Sequence, residues 1–166
     1  FEQRKFREAA HYYQACMKEA SQRHYPERKR LQIQLRLAES LRRAGELDQA
    51  LAIGKDALTR AAGQGAKDVF HGSALESLSM THEDRGERDE ALALARKALT
   101  AVEGGNNFAT LAARTDRLAK LERAAGNVAE CKQLLAASLD HYQRAHGPNH
   151  PGTASQLSGM AVMLQE

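Results

Sequence analysis

Three similar segments decide how this chain folds: GELDQALAIGKDAL at residues 45–58, GERDEALALARKAL at 86–99 and GNVAECKQLLAASL at 126–139. Each segment begins with a glycine, and successive glycines lie 41 and 40 residues apart. Glycine adopts, at little cost, the left-handed backbone conformation that commonly ends a helix. The pattern therefore predicts a helix before each glycine, a tight turn at the glycine, and a second helix after it.

Small residues recur at two positions of these segments and of an earlier copy, RKFREAAHYYQACM at 4–17, which lacks the glycine. The two positions are seven residues apart, so they share one face of a helix, where small side chains let neighbouring helices approach closely. One position holds Ala9, Ala50, Ala91 and Cys131, and the other holds Cys16, Ala57, Ala98 and Ser138. We therefore expect both cysteines to pack in the core rather than to serve as reactive thiols.

The segments that precede the glycines also align: LQIQLRLAESLRRAG at 31–45, ALESLSMTHEDRG at 74–86 and RTDRLAKLERAAG at 114–126. Each unit is thus a helix, a turn, a second helix and a link. This unit resembles the tetratricopeptide repeat, whose two helices carry a similar skeleton of large and small residues. The match is to the skeleton only, because Gly54 and Ala95 stand where that family prefers a large aromatic residue.

The link AHGPNHPGTASQLSGMA at 145–161 indicates which kind of tetratricopeptide repeat the chain resembles. With the period near 41 residues, it is similar to the repeats of kinesin light chains and their bacterial relatives, which carry a Gly-Pro-x-His-Pro link. The resemblance covers nearly the whole chain. It implies an all-α fold, namely an α-solenoid in which stacked antiparallel helix pairs form a right-handed superhelix.

The repeats divide the chain into five parts of a single domain over residues 1–166, which we interpret as a fragment of a longer chain because it begins at Phe1. The predicted parts are the second helix of a partial repeat at 4–23, three repeats at 29–62, 68–103 and 107–145, and the first helix of a partial repeat at 152–166.

The composition excludes several classes of protein. Valine and isoleucine are scarce, which argues against an extensive sheet. No apolar run is long enough to span a membrane, and two distant cysteines do not form a disulfide framework. We therefore expect a soluble cytoplasmic protein. Charge is uneven: residues 1–43 carry 11 Lys and Arg against 5 Asp and Glu, whereas residues 44–110 carry 7 against 11.

The stretch HGPNHP at 146–151 places two histidines four residues apart, which within one helix would suit a metal ion. Gly147 and Pro151 instead indicate a helix end followed by a helix start, so we interpret the stretch as punctuation. The His-Glu of THEDRG at 81–86 lacks the second histidine of a zinc protease. We find no catalytic, cofactor-binding or metal-ligating set, and we expect a protein that is not an enzyme and uses no cofactor.

In the family that this chain resembles, the first helix of each pair lines a concave groove, and its long polar side chains suit an extended peptide or an inserted helix. The register gives the predicted partner-binding residues, which are Arg36, Glu39, Arg42, Arg43, Glu76, Met80, Glu83, Asp116, Arg117 and Lys120. Some tetratricopeptide domains grip a carboxylate with lysines and asparagines here. That clamp does not carry over, because the matching positions hold no asparagine.

These features predict a non-enzymatic scaffold or adaptor that binds a peptide or helical segment of another protein in the groove, with no membrane partner. One alternative is a regulatory or sensor module of a larger signalling or transcription protein. Another is a solenoid that self-associates through exposed end helices. A third is nucleic-acid binding through the basic stretch PERKRLQIQLRL at 26–37, which is less favoured because no aromatic residues alternate with the basic ones.

Overall fold

The computed structural model describes residues 2–63, 65 and 69–165, and this part of the chain is helical throughout, with no strand. The all-α fold predicted from the sequence is thus confirmed. The helices are α1 (Glu2–Gln22), α2 (Glu27–Arg43), α3 (Leu47–Ala62), α4 (Val69–Asp84), α5 (Arg88–Thr100), α6 (Phe108–Ala124), α7 (Val128–His146) and α8 (Pro151–Gln165).

The three predicted glycine turns share one geometry. Gly45, Gly86 and Gly126 have φ angles of 83°, 79° and 86°, which other residues adopt only with strain. In each turn, the N–H after the glycine donates to the carbonyl five residues earlier, the bond of a Schellman motif. These bonds are Glu46 N to Leu41 O at 2.9 Å, Glu87 N to His82 O at 2.9 Å and Asn127 N to Glu122 O at 2.8 Å.

The chain forms two compact units, residues 1–101 and residues 102–166. Within the first unit, each of the helices α1 to α5 packs against the next, and α2 also contacts α4. Within the second unit, α6 packs against α7, and α7 contacts α8. Helices two apart in the chain therefore meet in the first unit at the α2–α4 pair.

The small residues of α3, α5 and α7 lie in the core, as predicted. Ala50, Ala57, Ala91, Ala98, Cys131 and Ser138 are all buried. Buried hydroxyls fasten neighbouring helices, since Ser79 Oγ donates to the carbonyl of Ala91 at 2.7 Å and Ser138 Oγ donates to that of Ala112 at 2.9 Å. The small-residue columns therefore mark the places where helix backbones approach each other.

The prediction for Cys16 is wrong, because its side chain is exposed whereas that of Cys131 is buried. Among the described helices, α1 packs only against α2. The residues of α1 that pack against this core are Ala10, Tyr13 and Met17, and Cys16 lies to one side of that stripe. Repeat position alone therefore does not determine burial, which needs a neighbouring helix on that side.

No helix in the described part of the chain combines the length and the apolar character needed to cross a bilayer.

Candidate functional site

A groove of about 340 Å³ runs between α2 and α4 of the first unit. Four of the predicted partner-binding residues line it, namely Arg36, Glu39, Glu76 and Met80. The other lining residues are Gln32, Leu35, Val69, Phe70, Ser73 and Ser77. Residues three or four apart on one helix share a face, so the register of α2 and α4 brings these side chains to the same groove.

One end of the groove is apolar. Leu35, Val69 and Phe70 meet there, and Val69 is 45% exposed. The guanidinium of Arg28 lies over the Phe70 ring at 5.2 Å and covers part of it. An apolar side chain of a partner would bury against these residues and leave water.

The other end of the groove is charged and is closed by ion pairs that join the two helices. Arg42 donates from Nε and Nη2 to Glu39 at 2.9 and 3.0 Å, and from Nη1 to Asp84 at 2.5 Å. Arg43 pairs with the same Glu39 at 2.9 Å. Burial lowers the pKa of Arg42, but its hydrogen bonds with Glu39 and Asp84 outweigh this effect and hold the pKa above its ordinary value. Arg42 therefore acts mainly as a brace between α2 and α4.

Arg36 differs from these arginines. It is exposed, lines the groove between the apolar and charged ends, and makes no ion pair with any described residue. A guanidinium without a carboxylate partner is available to a carboxylate of a bound molecule, which it can hold in a bidentate pair.

The remaining predicted residues lie elsewhere. Glu83 is exposed on α4 but does not line the groove. Asp116, Arg117 and Lys120 lie on α6 of the second unit, where the Lys120 ammonium pairs with Asp116 at 2.7 Å. Nine of the ten residues therefore divide between one groove, its closed end and a separate helix, Glu83 lies outside all three, and their role in binding stays a prediction.

Sequence reasoning missed Val69 and Phe70, which form the apolar end of the groove. They open the repeat predicted at 68–103, directly after Asp68, a residue type that is common at helix N-caps. The predicted partner-binding residues on this helix were only Glu76, Met80 and Glu83, so its first turn was left out. Phe70 is the only aromatic residue between Tyr25 and Phe108. This isolation could have marked it as a candidate partner-binding residue.

The stretch HGPNHP breaks the helix as predicted, since α7 ends at His146, Gly147 has φ 90° and α8 begins at Pro151. The break nevertheless brings the two histidine rings to 5.0 Å between centroids, and the Tyr142 ring lies 4.5 Å from that of His146. A side chain at Gly152 would overlap the Tyr142 hydroxyl. The ring contacts stabilise the turn between α7 and α8, and the lack of a side chain at Gly152 leaves room for Tyr142 there.

The described residues contain no group of three or more metal-ligating side chains. Burial raises the pKa of the Cys131 thiol, which disfavours the reactive thiolate. The described residues that line the groove offer apolar contact and ion pairing to a bound molecule.

The chain was then compared with known proteins. A family model described as Tetratricopeptide repeat matches residues 29–103 and 111–166. No match was found among curated proteins.

Two solved structures show the same fold at 18% identity. BtubC (BKLC) from P. vanneervenii superposes with a TM-score of 0.83 over 96% of this chain and 66% of that one, so the chain spans just under two thirds of its length. The nearly identical TPR-like repeats named for a kinesin light chain of Podosopora anserina superpose with a TM-score of 0.77 over 98% of this chain and 80% of that one.

Proposed function

The chain belongs to the tetratricopeptide repeat family, and from this premise we propose that it is a non-enzymatic cytoplasmic adaptor whose α2–α4 groove binds a peptide or helix of another protein. Tetratricopeptide repeats generally mediate protein–protein interaction, and the matching folds belong to kinesin light chain-like repeats. The proposal assigns this general role to one groove of the chain.

The observation that carries the proposal is that apolar side chains line the same groove as a guanidinium that forms no ion pair with the described residues. Val69, which is exposed, and Phe70, which Arg28 covers in part, supply apolar surface, and Arg36 supplies the charge. The ion pair between Arg42 and Asp84 joins α2 to α4 at the groove's closed end. A pre-formed groove loses little entropy on binding, which favours recognition of a short segment.

The test selects ligands without assuming a partner. A phage library of random peptides would be selected on the wild-type chain, and the affinities of the recovered peptides would be measured for two variants. Arg36→Glu reverses the charge in the groove. Lys55→Glu makes the same change on an exposed face of α3 and serves as the matched control.

We expect the peptides to bind Arg36→Glu at least about tenfold more weakly than wild type, since a charged hydrogen bond is worth about 1.5–3 kcal/mol. Binding to Lys55→Glu should be unchanged. Amide resonances of α2 and α4 should shift on titration. Peptides that bind both variants equally, or whose resonance shifts fall outside α2 and α4, would rule out the groove as the binding site.

A further inference from the structure

A second cavity lies in the first unit, where α3, α4 and α5 meet. Its volume is about 610 Å³, and its lining is formed by Leu58 of α3, His71 and Leu75 of α4, and four residues of α5 and its end, Arg96, Lys97, Thr100 and Ala101. It shares no lining residue with the α2–α4 groove. The cavity is thus a separate site that the proposed peptide binding does not use.

The walls are mostly apolar, and the polar groups are few. Leu58, Leu75 and Ala101 provide the apolar surface, to which the methylene stems of Arg96 and Lys97 add. Cavities of about 300–1,000 Å³ with apolar walls and a few polar groups are typical of small-molecule sites. The size and lining therefore suit a whole small molecule.

Two features of the polar groups indicate what that molecule carries. The Lys97 ammonium is exposed and forms no ion pair with the described residues. The Nδ1 atom of His71 is buried and has no hydrogen-bond partner among them. Because that atom has almost no accessible surface for a ligand to reach, the molecule needs a group that pairs with Lys97 and none that pairs with His71.

The charge of the cavity favours an anion. Arg96 and Lys97 are both cations, and none of the described residues that line the cavity is acidic. The full charge of Lys97 outweighs the partial negative charge, about half an elementary charge, at the carboxyl end of α5. A ligand with an apolar body and one carboxylate matches both the walls and the charge.

We infer that the cavity between α3, α4 and α5 is a binding site for a small amphiphilic carboxylate. The apolar body lies against Leu58 and Leu75, and the carboxylate pairs with Lys97. The proposal is independent of the α2–α4 groove, so failure of either leaves the other standing.

Octanoate is the probe, used free in solution well below its micelle-forming concentration. Binding would be measured by calorimetry and by the amide resonances of the whole chain. Octylamine has an apolar body of the same length with the opposite charge, and butyrate keeps the carboxylate with a shorter body. We expect octanoate to bind and to shift the resonances of His71, Lys97 and Thr100, and we expect at least about tenfold weaker binding of the other two probes.

Two variants test the two halves of the site. Lys97→Glu replaces the attracting charge with a repelling one, and Thr100→Trp fills the cavity from an exposed position. Each should weaken octanoate binding at least about tenfold. Lys132→Glu, the same charge change on an exposed position of α7, should bind octanoate like wild type. Circular dichroism and thermal unfolding would establish that all three variants are folded.

The inference is overturned if octanoate does not bind the wild-type chain. A surface that binds only peptides would give the same result. It is equally overturned if octylamine binds as well as octanoate, or if octanoate binds both Lys97→Glu and Thr100→Trp with wild-type affinity.

Discussion

Gly54 shows how one absent side chain sets the distance between two helices. It is buried in the middle of α3, at the position where the family prefers a large aromatic residue. A Cβ atom built on it would lie 2.8 Å from Cδ2 of Leu78 in α4, closer than carbon atoms approach in folded proteins. The glycine thus allows α3 and α4 to pack with Leu78 lying directly against the α3 backbone.

Gly54→Ala should therefore destabilise the protein, although alanine is the better helix former. Overpacking costs about 1–3 kcal/mol, and the gain in helix propensity returns about 1 kcal/mol, so we expect a net loss of about 1 kcal/mol. The free energy of unfolding in urea, followed by circular dichroism, measures it. The exposed Gly159→Ala, where an added Cβ meets nothing within 4 Å, should instead be neutral or stabilising.

A double-mutant cycle separates the clash from other effects of the alanine. In a Leu78→Ala background the opposing methyl groups are gone, so Gly54→Ala should become stabilising by about 0.5–1 kcal/mol. If Gly54→Ala has the same effect in both backgrounds, contact with Leu78 is not the reason for the glycine.

At the scale of residues, the sequence predicted those features that depend on the local chain. The turns at Gly45, Gly86 and Gly126 follow from the left-handed conformation, which glycine favours wherever it ends a helix. The exposure of Cys16 and the meeting of the His146 and His150 rings across the helix break depend instead on how successive helices are placed. A repeat alignment carries no information on that placement, so these features were missed.

At the scale of elements, ion pairs between helices add to the connections that the loops provide. Glu27, in the first turn of α2, accepts hydrogen bonds from Arg60, in the last turn of α3, at 2.7–2.8 Å. Arg30 binds its other carboxylate oxygen. The hydrogen bond from Arg60 is the main reason that the pKa of Glu27 lies below its ordinary value, and the bond from Arg30 adds to it.

This lowered pKa makes part of the stability depend on pH. Because folding lowers the pKa of Glu27, its contribution is complete above the ordinary carboxyl range and is lost as the pH falls through the folded pKa, that is, below about pH 4–5. Glu27→Gln should cost about 1 kcal/mol at pH 7. The difference from wild type should shrink at about pH 3, as measured by urea unfolding at several pH values.

The matched control is Glu130→Gln on α7, an exposed carboxylate that pairs with no described residue. Like Glu27 it lies in the first turn of a helix, so Glu130→Gln loses only the interaction of a carboxylate with the helix dipole and should cost less at pH 7 than Glu27→Gln. A difference between wild type and Glu27→Gln that stays constant from pH 7 to pH 3 would show that the carboxylate charge does not hold α2 to α3.

The start of α6 depends on a single side-chain cap. Asn107 Oδ1 accepts a hydrogen bond from the Thr110 N–H at 3.0 Å, which satisfies one of the free donors of the first turn. Asn107→Ala should cost about 1 kcal/mol of unfolding free energy. The neighbouring Asn106→Ala, which removes an exposed side chain with no cap bond, should change stability by less than about 0.5 kcal/mol. Equal losses in the two variants would contradict a capping role.

The two sides of the groove, formed by α2 and by α4, were not predicted equally well. Its α2 side, with Arg36 and Glu39, follows directly from helical register, because α2 starts at a recognisable Pro-Glu boundary. The apolar end was missed because the predicted residues of α4 were taken from its later turns, at Glu76, Met80 and Glu83. The cavity between α3, α4 and α5 could not be predicted at all, since three helices must be placed before their side chains can be said to meet.

At the scale of the whole molecule, the fold class was predictable because it is encoded repeatedly. The period of about 41 residues recurs in turns, small-residue columns and helix lengths, and the family model and two solved folds confirm the tetratricopeptide solenoid. The function of a repeat fold depends instead on surface side chains that the period does not specify. One such surface feature is the excess of basic residues near the beginning of the chain. The sequence suggests that it binds nucleic acid, whereas the ion pairs of the structure argue against this.

The count of 11 lysines and arginines in residues 1–43 suggests a nucleic-acid surface, but at least six of them pair with carboxylates. The pairs are Arg4–Glu8, Arg7–Glu46, Arg23–Glu19, Arg30–Glu27, Arg42–Asp84 and Arg43–Glu39. Phosphate binding depends on cations that release counterions from the nucleic acid, and cations held by carboxylates contribute little to it.

We therefore expect the chain to bind nucleic acid only weakly, with a dissociation constant above about 100 µM for a labelled oligonucleotide at physiological salt, which is the weak limit of non-specific binding. Fluorescence anisotropy with duplex DNA and single-stranded RNA measures it. The double variant Glu8→Lys and Glu19→Lys releases Arg4 and Arg23 and raises the net charge by four, so it should bind more tightly and show a steeper dependence on salt. Micromolar binding by the wild-type chain would mean that the ion pairs open at little cost and that the basic surface acts as a nucleic-acid site.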